Sequence, residues 1–154
     1  MSSNFDQRLA DLGLSLPDAP APQANYVPFV VVGNTVYVSG QVSMNADGLI
    51  TGKVGADLTA EEAAKAAQTC ALALLAQAKK ACGGDISRLK RVVKLTGFVN
   101  STPEFGDQPT VVNGASDLLV ALLGDAGRHA RSAVSAGALP FNVAVEIEGI
   151  FEIE

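Results

Sequence analysis

The chain is short of charge and of histidine, has two cysteines, and lacks a long apolar run; each shortage removes a class of function. Charged residues make up 18% against 48% hydrophobic, which leaves apolar surface to hide and motivates an oligomer. Eleven Lys and Arg stand against 16 Asp and Glu, a net charge of −5, and no basic cluster reaches the density of a nucleic-acid groove, so nucleic-acid binding is not expected. One histidine, His129, and no close Cys-x-x-Cys pair exclude the usual zinc constellations. Cys70 and Cys82 lie along one expected helix and its end, too far apart for a routine disulfide, and read as buried or free thiols. No uninterrupted apolar stretch approaches about 18 residues, and residues 1–25 lack the basic-then-apolar pattern of a signal peptide, so a cytoplasmic protein without a membrane partner is expected. The glycines match neither a P-loop nor a dinucleotide fingerprint, so no cofactor is called for. Ser39 has no nucleophile-elbow flanks and no obvious histidine partner, which argues against covalent serine chemistry.

What is present suits one domain of 154 residues without internal repeats. A helical and extended segment over 1–24, with a helix over Phe5 to Leu14 and then Pro17, Pro20 and Pro22, precedes a single domain over 25–154. Val30 to Val32 and Thr35 to Ser39 read as strands joined at Gly33-Asn34. Asp47-Gly48 marks a reversal, and Leu49 to Lys53 a short third strand. Thr59 to Glu62 has capping-box spacing and opens a helix whose apolar stripe is Ala63, Ala67, Cys70, Leu74 and Ala78, stopped by Gly83-Gly84. Arg91 to Val99 alternates as a strand, with Val93, Leu95, Gly97 and Val99 on one face. Pro109 starts a second helix, with Val111, Ala115, Leu118 or Leu119, and Leu122 facing inward and Gly124 ending it. The expected class is α+β: a mixed sheet covered on one face by two helices.

The last strand is the most patterned segment. Phe141, Val143, Val145, Ile147, Phe151 and Ile153 share one face, and Glu146, Glu148, Glu152 and Glu154 the other. If residues 137–140 turn a hairpin, Arg131 falls roughly opposite Glu146, a pair open to either a structural or a functional reading. His129, two residues before Arg131, could face the same side and titrate near neutrality, or be structural. Tyr26 is equally a packing wedge or a site residue.

Tyr26-Val27-Pro28, Val36 to Gln41, Gly48, Lys90 to Thr96, Asn113, Ala130-Arg131-Ser132, Leu139-Pro140 and Val145 to Glu148 together resemble the RidA/YjgF family, also known as endoribonuclease L-PSP. Val112 to Leu118 and the longer N-terminus are similar to a less studied branch. The resemblance implies a chorismate-mutase-like fold in a homotrimer, with the sheets packed around a central barrel-like core and small-molecule sites between subunits. It implies hydrolysis of 2-imino acids and their enamine tautomers to 2-keto acids and ammonia, without a metal or cofactor. It assigns Arg131 to the substrate carboxylate and Glu146 to a water, with Tyr26, Ser39, Gly40, Asn113 and the backbone of Ala133 completing the site. An arginine fork meets a carboxylate through two parallel charge-assisted bonds, and a carboxylate beside the C=N carbon can orient water and exchange protons. Gln68, Ala73 and Ala133 depart from the family's common residues, the first two at positions bearing on partners. The alternatives are a metabolite-binding or regulatory trimer and a ribonuclease acting on single-stranded RNA.

Overall fold

The computed structural model describes residues 2–154. Helix α1 (Ser2–Asp11) leads through an extended segment into strands β1 (Phe29–Val32) and β2 (Thr35–Val42), a hairpin closed at Gly33, whose φ of 60° is one that glycine adopts without cost. A two-stranded ribbon follows, β3 (Met44–Asn45) with β4 (Gly48–Leu49). Helix α2 (Ala60–Ala81), strand β5 (Leu89–Asn100), helix α3 (Gln108–Leu123), strand β6 (Ala130–Ala136) and strand β7 (Val145–Ile153) complete the chain. The main sheet has the order β1-β2-β7-β5-β6; β5 and β6 are parallel, and the other neighbours antiparallel. Both long helices lie against one face of it, the α+β arrangement expected of a chorismate-mutase-like chain.

Local chemistry explains the helices. Thr59 accepts from the amide of Glu62 at 3.1 Å, while the Glu62 carboxylate accepts from the Thr59 amide at 3.0 Å, which satisfies donors the first turn leaves free. Bonding to Thr59 also holds the Glu62 carboxyl below its usual range. Gly83 and Gly84, both at positive φ, turn the chain away after Ala81. Between these ends Ala63, Ala67, Cys70, Leu74 and Ala78 are fully buried, and so are Ala66 and Ala71. Such small side chains let α2 lie close to its neighbours. A β-carbon added at Gly114 of α3 would run into the backbone carbonyl of Ala64, and one at Gly97 of β5 would meet Val112 at 2.7 Å. Phe5 and Leu9 of α1 join the same core, and Arg8 donates to the carbonyl of Leu122 at the end of α3. Cys70 and Cys82 are buried, unbridged thiols.

Several expectations are corrected. The proposed third strand shrinks to Gly48–Leu49, which pairs with β3 outside the main sheet, and within the rest of the expected strand Thr51 makes an isolated bridge to Val143. In β5 the register shifts between Val92 and Lys94, so Val92 turns into the core with Leu95, Gly97 and Val99 while Val93 is 41% exposed. Phe141 leaves the buried face altogether: it sits in a short turn over Pro140–Asn142 at φ 58° and is 59% exposed. From Val145 onward the alternation holds, with Val145, Ile147, Gly149, Phe151 and Ile153 buried. The largest correction concerns β6 and β7, which form no hairpin. β5 lies between them, parallel to one and antiparallel to the other.

The face of the sheet away from the helices carries Val30 and Tyr37, which pair with one another and are 49% and 48% exposed, and Val134, 44% exposed, beside Phe98. Such a face is commonly covered by another element or subunit.

The helix–helix approach yields a stability test. Gly114→Ala should destabilise the protein by about 1–3 kcal/mol through overpacking against the Ala64 carbonyl. Gly106→Ala, where an added methyl meets nothing within 4 Å, should leave the urea midpoint unchanged or slightly raised. Equal midpoints for the two variants would contradict the close α2–α3 contact.

Candidate functional site

The strand β2 loses its regular pairing with β7 between Val38 and Gln41, so Ser39 and Gly40 form an irregularity opposite the start of β7. Ser39 donates from Oγ to the Val27 carbonyl at 2.8 Å and from its amide to the Pro28 carbonyl at 2.9 Å. These bonds pin the segment that carries Tyr26, whose hydroxyl accepts from the Gln23 amide at 3.2 Å. Glu146 of β7 sits between Val42 and Phe98 in register. A β-carbon at Gly40 would collide with its Oε2, so glycine is what admits the carboxylate over the backbone of β2. Tyr26, Ser39, Gly40 and Glu146 thus line one cleft of about 750 Å³, together with the 20–24 segment, Met44, Phe141 and Glu148.

Two buried glutamines hold this wall in place. Gln77 of α2, fully buried, donates from Nε2 to the Pro20 carbonyl at 2.8 Å and reaches the Gln41 amide oxygen at 3.5 Å. Gln41 in turn donates to the Ser39 carbonyl at 2.9 Å. Neither was singled out from the sequence. A glutamine in an alanine-rich buried stripe is the signal that marked Gln77, since a buried amide demands partners.

The Glu146 carboxyl is pushed up from its ordinary range, first by burial and then by the neighbouring charge of Glu148. A raised acid of this kind can hold or release a proton nearer neutrality than a solvated one. Cys70, beneath the same strand, donates its thiol to the Val145 carbonyl at 3.6 Å, and burial pushes its ionisation far up, so it is no nucleophile.

Arg131 lies elsewhere. It pairs with Leu95, while Glu146 pairs with Phe98, and the two side chains leave opposite faces of the sheet. The expected juxtaposition across a hairpin, and with it a structural ion pair inside one chain, is overturned because the parallel β5–β6 pairing puts a whole strand between them. Arg131 Nη1 donates to Ser116 Oγ at 3.0 Å and Nη2 to the Pro109 carbonyl at 3.2 Å, both on α3. Asn113, Ser116 and His129 line a second, smaller pocket of about 270 Å³ with it. His129 does face the same side as Arg131, since its Nε2 lies 2.9 Å from Ser116 Oγ. Ala133 lines neither pocket and packs against the core. The chain therefore presents two separate sets: Tyr26, Ser39, Gly40 and Glu146 on the open face, Arg131 and Asn113 at the edge formed by β6 and α3. The i, i+3 spacing of Asn113 and Ser116 was the available sign that the serine belongs with the second set. Among the described residues no group of three or more His, Cys, Asp or Glu side chains could hold a metal ion, and no helix is long and apolar enough to cross a membrane.

A raised carboxyl has a consequence for stability. Because the folded state binds the Glu146 proton more tightly than the unfolded chain, its contribution is present below the ordinary carboxylate range and is lost as pH rises through the raised value. Glu146→Gln should therefore raise the melting temperature at pH 7 and leave it nearly unchanged at pH 4. A lowered melting temperature at pH 7 would contradict the burial of an unpaired carboxylate.

The family model described as "YjgF/chorismate_mutase-like, putative endoribonuclease" matches residues 6–152. The chain is 48% identical over 154 residues to Protein TCP17 of Trypanosoma cruzi, covering 99% of this chain and 96% of that one. It is 33% identical over 143 residues to the 2-iminobutanoate/2-iminopropanoate deaminase of Dermatophagoides farinae, covering 92% and 95%. The crystal structure of Atu1372 from Agrobacterium tumefaciens, a protein with unknown function, superposes with a TM-score of 0.93 at 50% identity, over 99% of this chain and 94% of that one.

Proposed function

This chain belongs to the RidA/YjgF family, and from that premise we propose that it hydrolyses small 2-imino acids to 2-keto acids and ammonia. The observation that carries the reading is Glu146: a half-buried carboxyl with raised proton affinity, admitted over Gly40 at the wall of a cleft of about 750 Å³. A relative of 33% identity bears the name of a deaminase of such substrates.

The two half-sets come together between subunits of a homotrimer in this reading, the β6 edge of one protomer meeting the open face of the next. Exposed Val30, Tyr37 and Val134 are the apolar surface such an assembly would cover. Arg131 keeps three N–H groups beyond the two bonded to Ser116 and Pro109, enough to grip a planar carboxylate through two parallel bonds. That grip would place the C=N carbon beside the neighbour's Glu146. Glu146 takes a proton from water as it adds to the carbon of the protonated imine, giving a neutral carbinolamine, returns that proton to the nitrogen, and takes the hydroxyl proton as the C=O forms and ammonia leaves. Tyr26, Ser39 and Asn113 border the ligand, and Gly40 allows its close approach.

Generating 2-iminopropionate in situ with an amino-acid oxidase and following pyruvate by its coupled reduction tests the activity. Wild type should accelerate the decay; an unchanged rate at stoichiometric protein rejects the reading. Glu146→Gln should lower turnover about 10²- to 10⁴-fold, and Glu148→Gln far less. Arg131→Lys, which keeps charge but loses the fork, should weaken keto-acid binding about 10- to 100-fold. Sedimentation equilibrium should give three times 15.8 kDa; a monomer at micromolar concentration would dismantle the shared site.

A further inference from the structure

Arg131 is held by a directed chain of hydrogen bonds that ends on the backbone. His129 Nδ1 lies 2.6 Å from the Gly127 carbonyl, which can only accept, so Nδ1 carries the hydrogen. In the neutral ring Nε2 is then an acceptor. Ser116 Oγ, 2.9 Å from Nε2, must give its hydrogen there, which leaves its lone pairs for Arg131 Nη1 at 3.0 Å. Polarity runs one way, from guanidinium to hydroxyl to imidazole to carbonyl. The far end is fixed: Gly127 is buried, and a β-carbon on it would collide with the Leu119 carbonyl of α3.

We propose that Ser116 and neutral His129 are positioning residues that hold the Arg131 fork in its carboxylate-binding orientation. This rests on the reading of Arg131 as the carboxylate anchor. Bonds to Ser116 Oγ and the Pro109 carbonyl, seven residues apart on α3, fix the plane of the guanidinium at two points. Preorganising the fork in this way removes ordering cost that binding would otherwise bear. Burial, and then the charge of Arg131, lower the proton affinity of His129 against the opposing effect of its bond to Gly127, which keeps the ring in the state the chain of bonds requires. The other charged groups lining this pocket are Arg128, whose Nε lies 3.5 Å from Asp125, and Asp117 of α3. A serine hydroxyl on an imidazole also has the outline of a nucleophilic dyad. Here the oxygen's lone pair is taken by a guanidinium, which stabilises it and blunts attack.

His129 is the only histidine in the chain, so ¹⁵N-histidine labelling reports on it without ambiguity. The Nδ1–H tautomer should dominate at neutral pH, and Ser116→Ala should shift the Nε2 resonance. Calorimetry on the full-length protein with pyruvate as the probe supplies the second readout. Ser116→Ala and His129→Phe should each weaken pyruvate about 5- to 30-fold, and the double variant should be no worse than either alone. Ser116→Thr, which keeps the hydroxyl, and His129→Gln, whose Oε1 can replace Nε2 as acceptor, should stay within about threefold of wild type. A loss of packing alone would not be rescued by those replacements. An Nε2–H tautomer, or an Nε2 resonance indifferent to Ser116→Ala, overturns the chain of bonds. Binding that is lost in Arg131→Ala but unchanged in Ser116→Ala and His129→Phe overturns the positioning role alone. A wild type that binds no keto acid overturns the reading of Arg131 and the positioning role with it. Labelling of Ser116 by a fluorophosphonate would instead make it a nucleophile and reject the proposal.

Discussion

Two parallel neighbours cannot be joined by a tight turn, so once β6 lies parallel to β5 the chain between them has to cross the sheet, and α3 is that crossing. The same pairing leaves the other side of β5 free for β7, which runs antiparallel to it. Most of what is distinctive in the molecule follows from this. α3 is drawn down onto β5, where Gly97 makes room for Val112, and onto α2, where Gly114 makes room for the Ala64 carbonyl. Its outer face then supplies Pro109, Asn113 and Ser116 beside Arg131 on the edge strand.

The arrangement also separates the chemistry. Arg131 leaves β6 toward α3, while Glu146 leaves β7 on the uncovered face. The chain by itself therefore holds a cationic set and an acidic set with the thickness of a sheet between them. On the proposed reading subunit association unites them, and the uncovered face carries apolar side chains that would gain by burial. A site built this way would make the proposed activity depend on assembly.

On the proposed reading Glu146 shows the usual conflict between stability and function. Its carboxyl is half-buried beside a like charge, and among the described residues no cation pairs with it, an arrangement that costs stability at neutral pH. The buried amides of Gln41 and Gln77 hold the opposing wall of the cleft rigid, one bonded to Ser39 and the other to Pro20. Such support around a half-buried acid is what the proposed catalytic geometry would need in order not to relax.

Where chemistry is local, the residues were legible in advance. The capping box at Thr59 and Glu62, the glycine stop after α2, the turn at Gly33 and the inward stripe of α3 all depend on neighbours within a few positions, and each appears as read. The motifs around Tyr26, Ser39, Gly40, Arg131 and Glu146 were likewise visible as a set, and the family to which they point is the chain's family. What alternation could not supply was the choice of partner for each strand. The pattern from Arg131 to Glu148 is compatible with a hairpin and with two strands flanking a third, since it records which face is buried and not which neighbour donates the hydrogen bonds. A register shift in β5 reversed the facing of Val92, and a left-handed turn carried Phe141 out of the core. Ser116 and His129 are thirteen positions apart on different elements, and only the folding of β6 against α3 makes them neighbours. By itself the sequence determined the elements, the buried stripes and the family; the tertiary structure alone decided that Arg131 and Glu146 face apart, because strand pairing is a long-range choice that no local periodicity encodes.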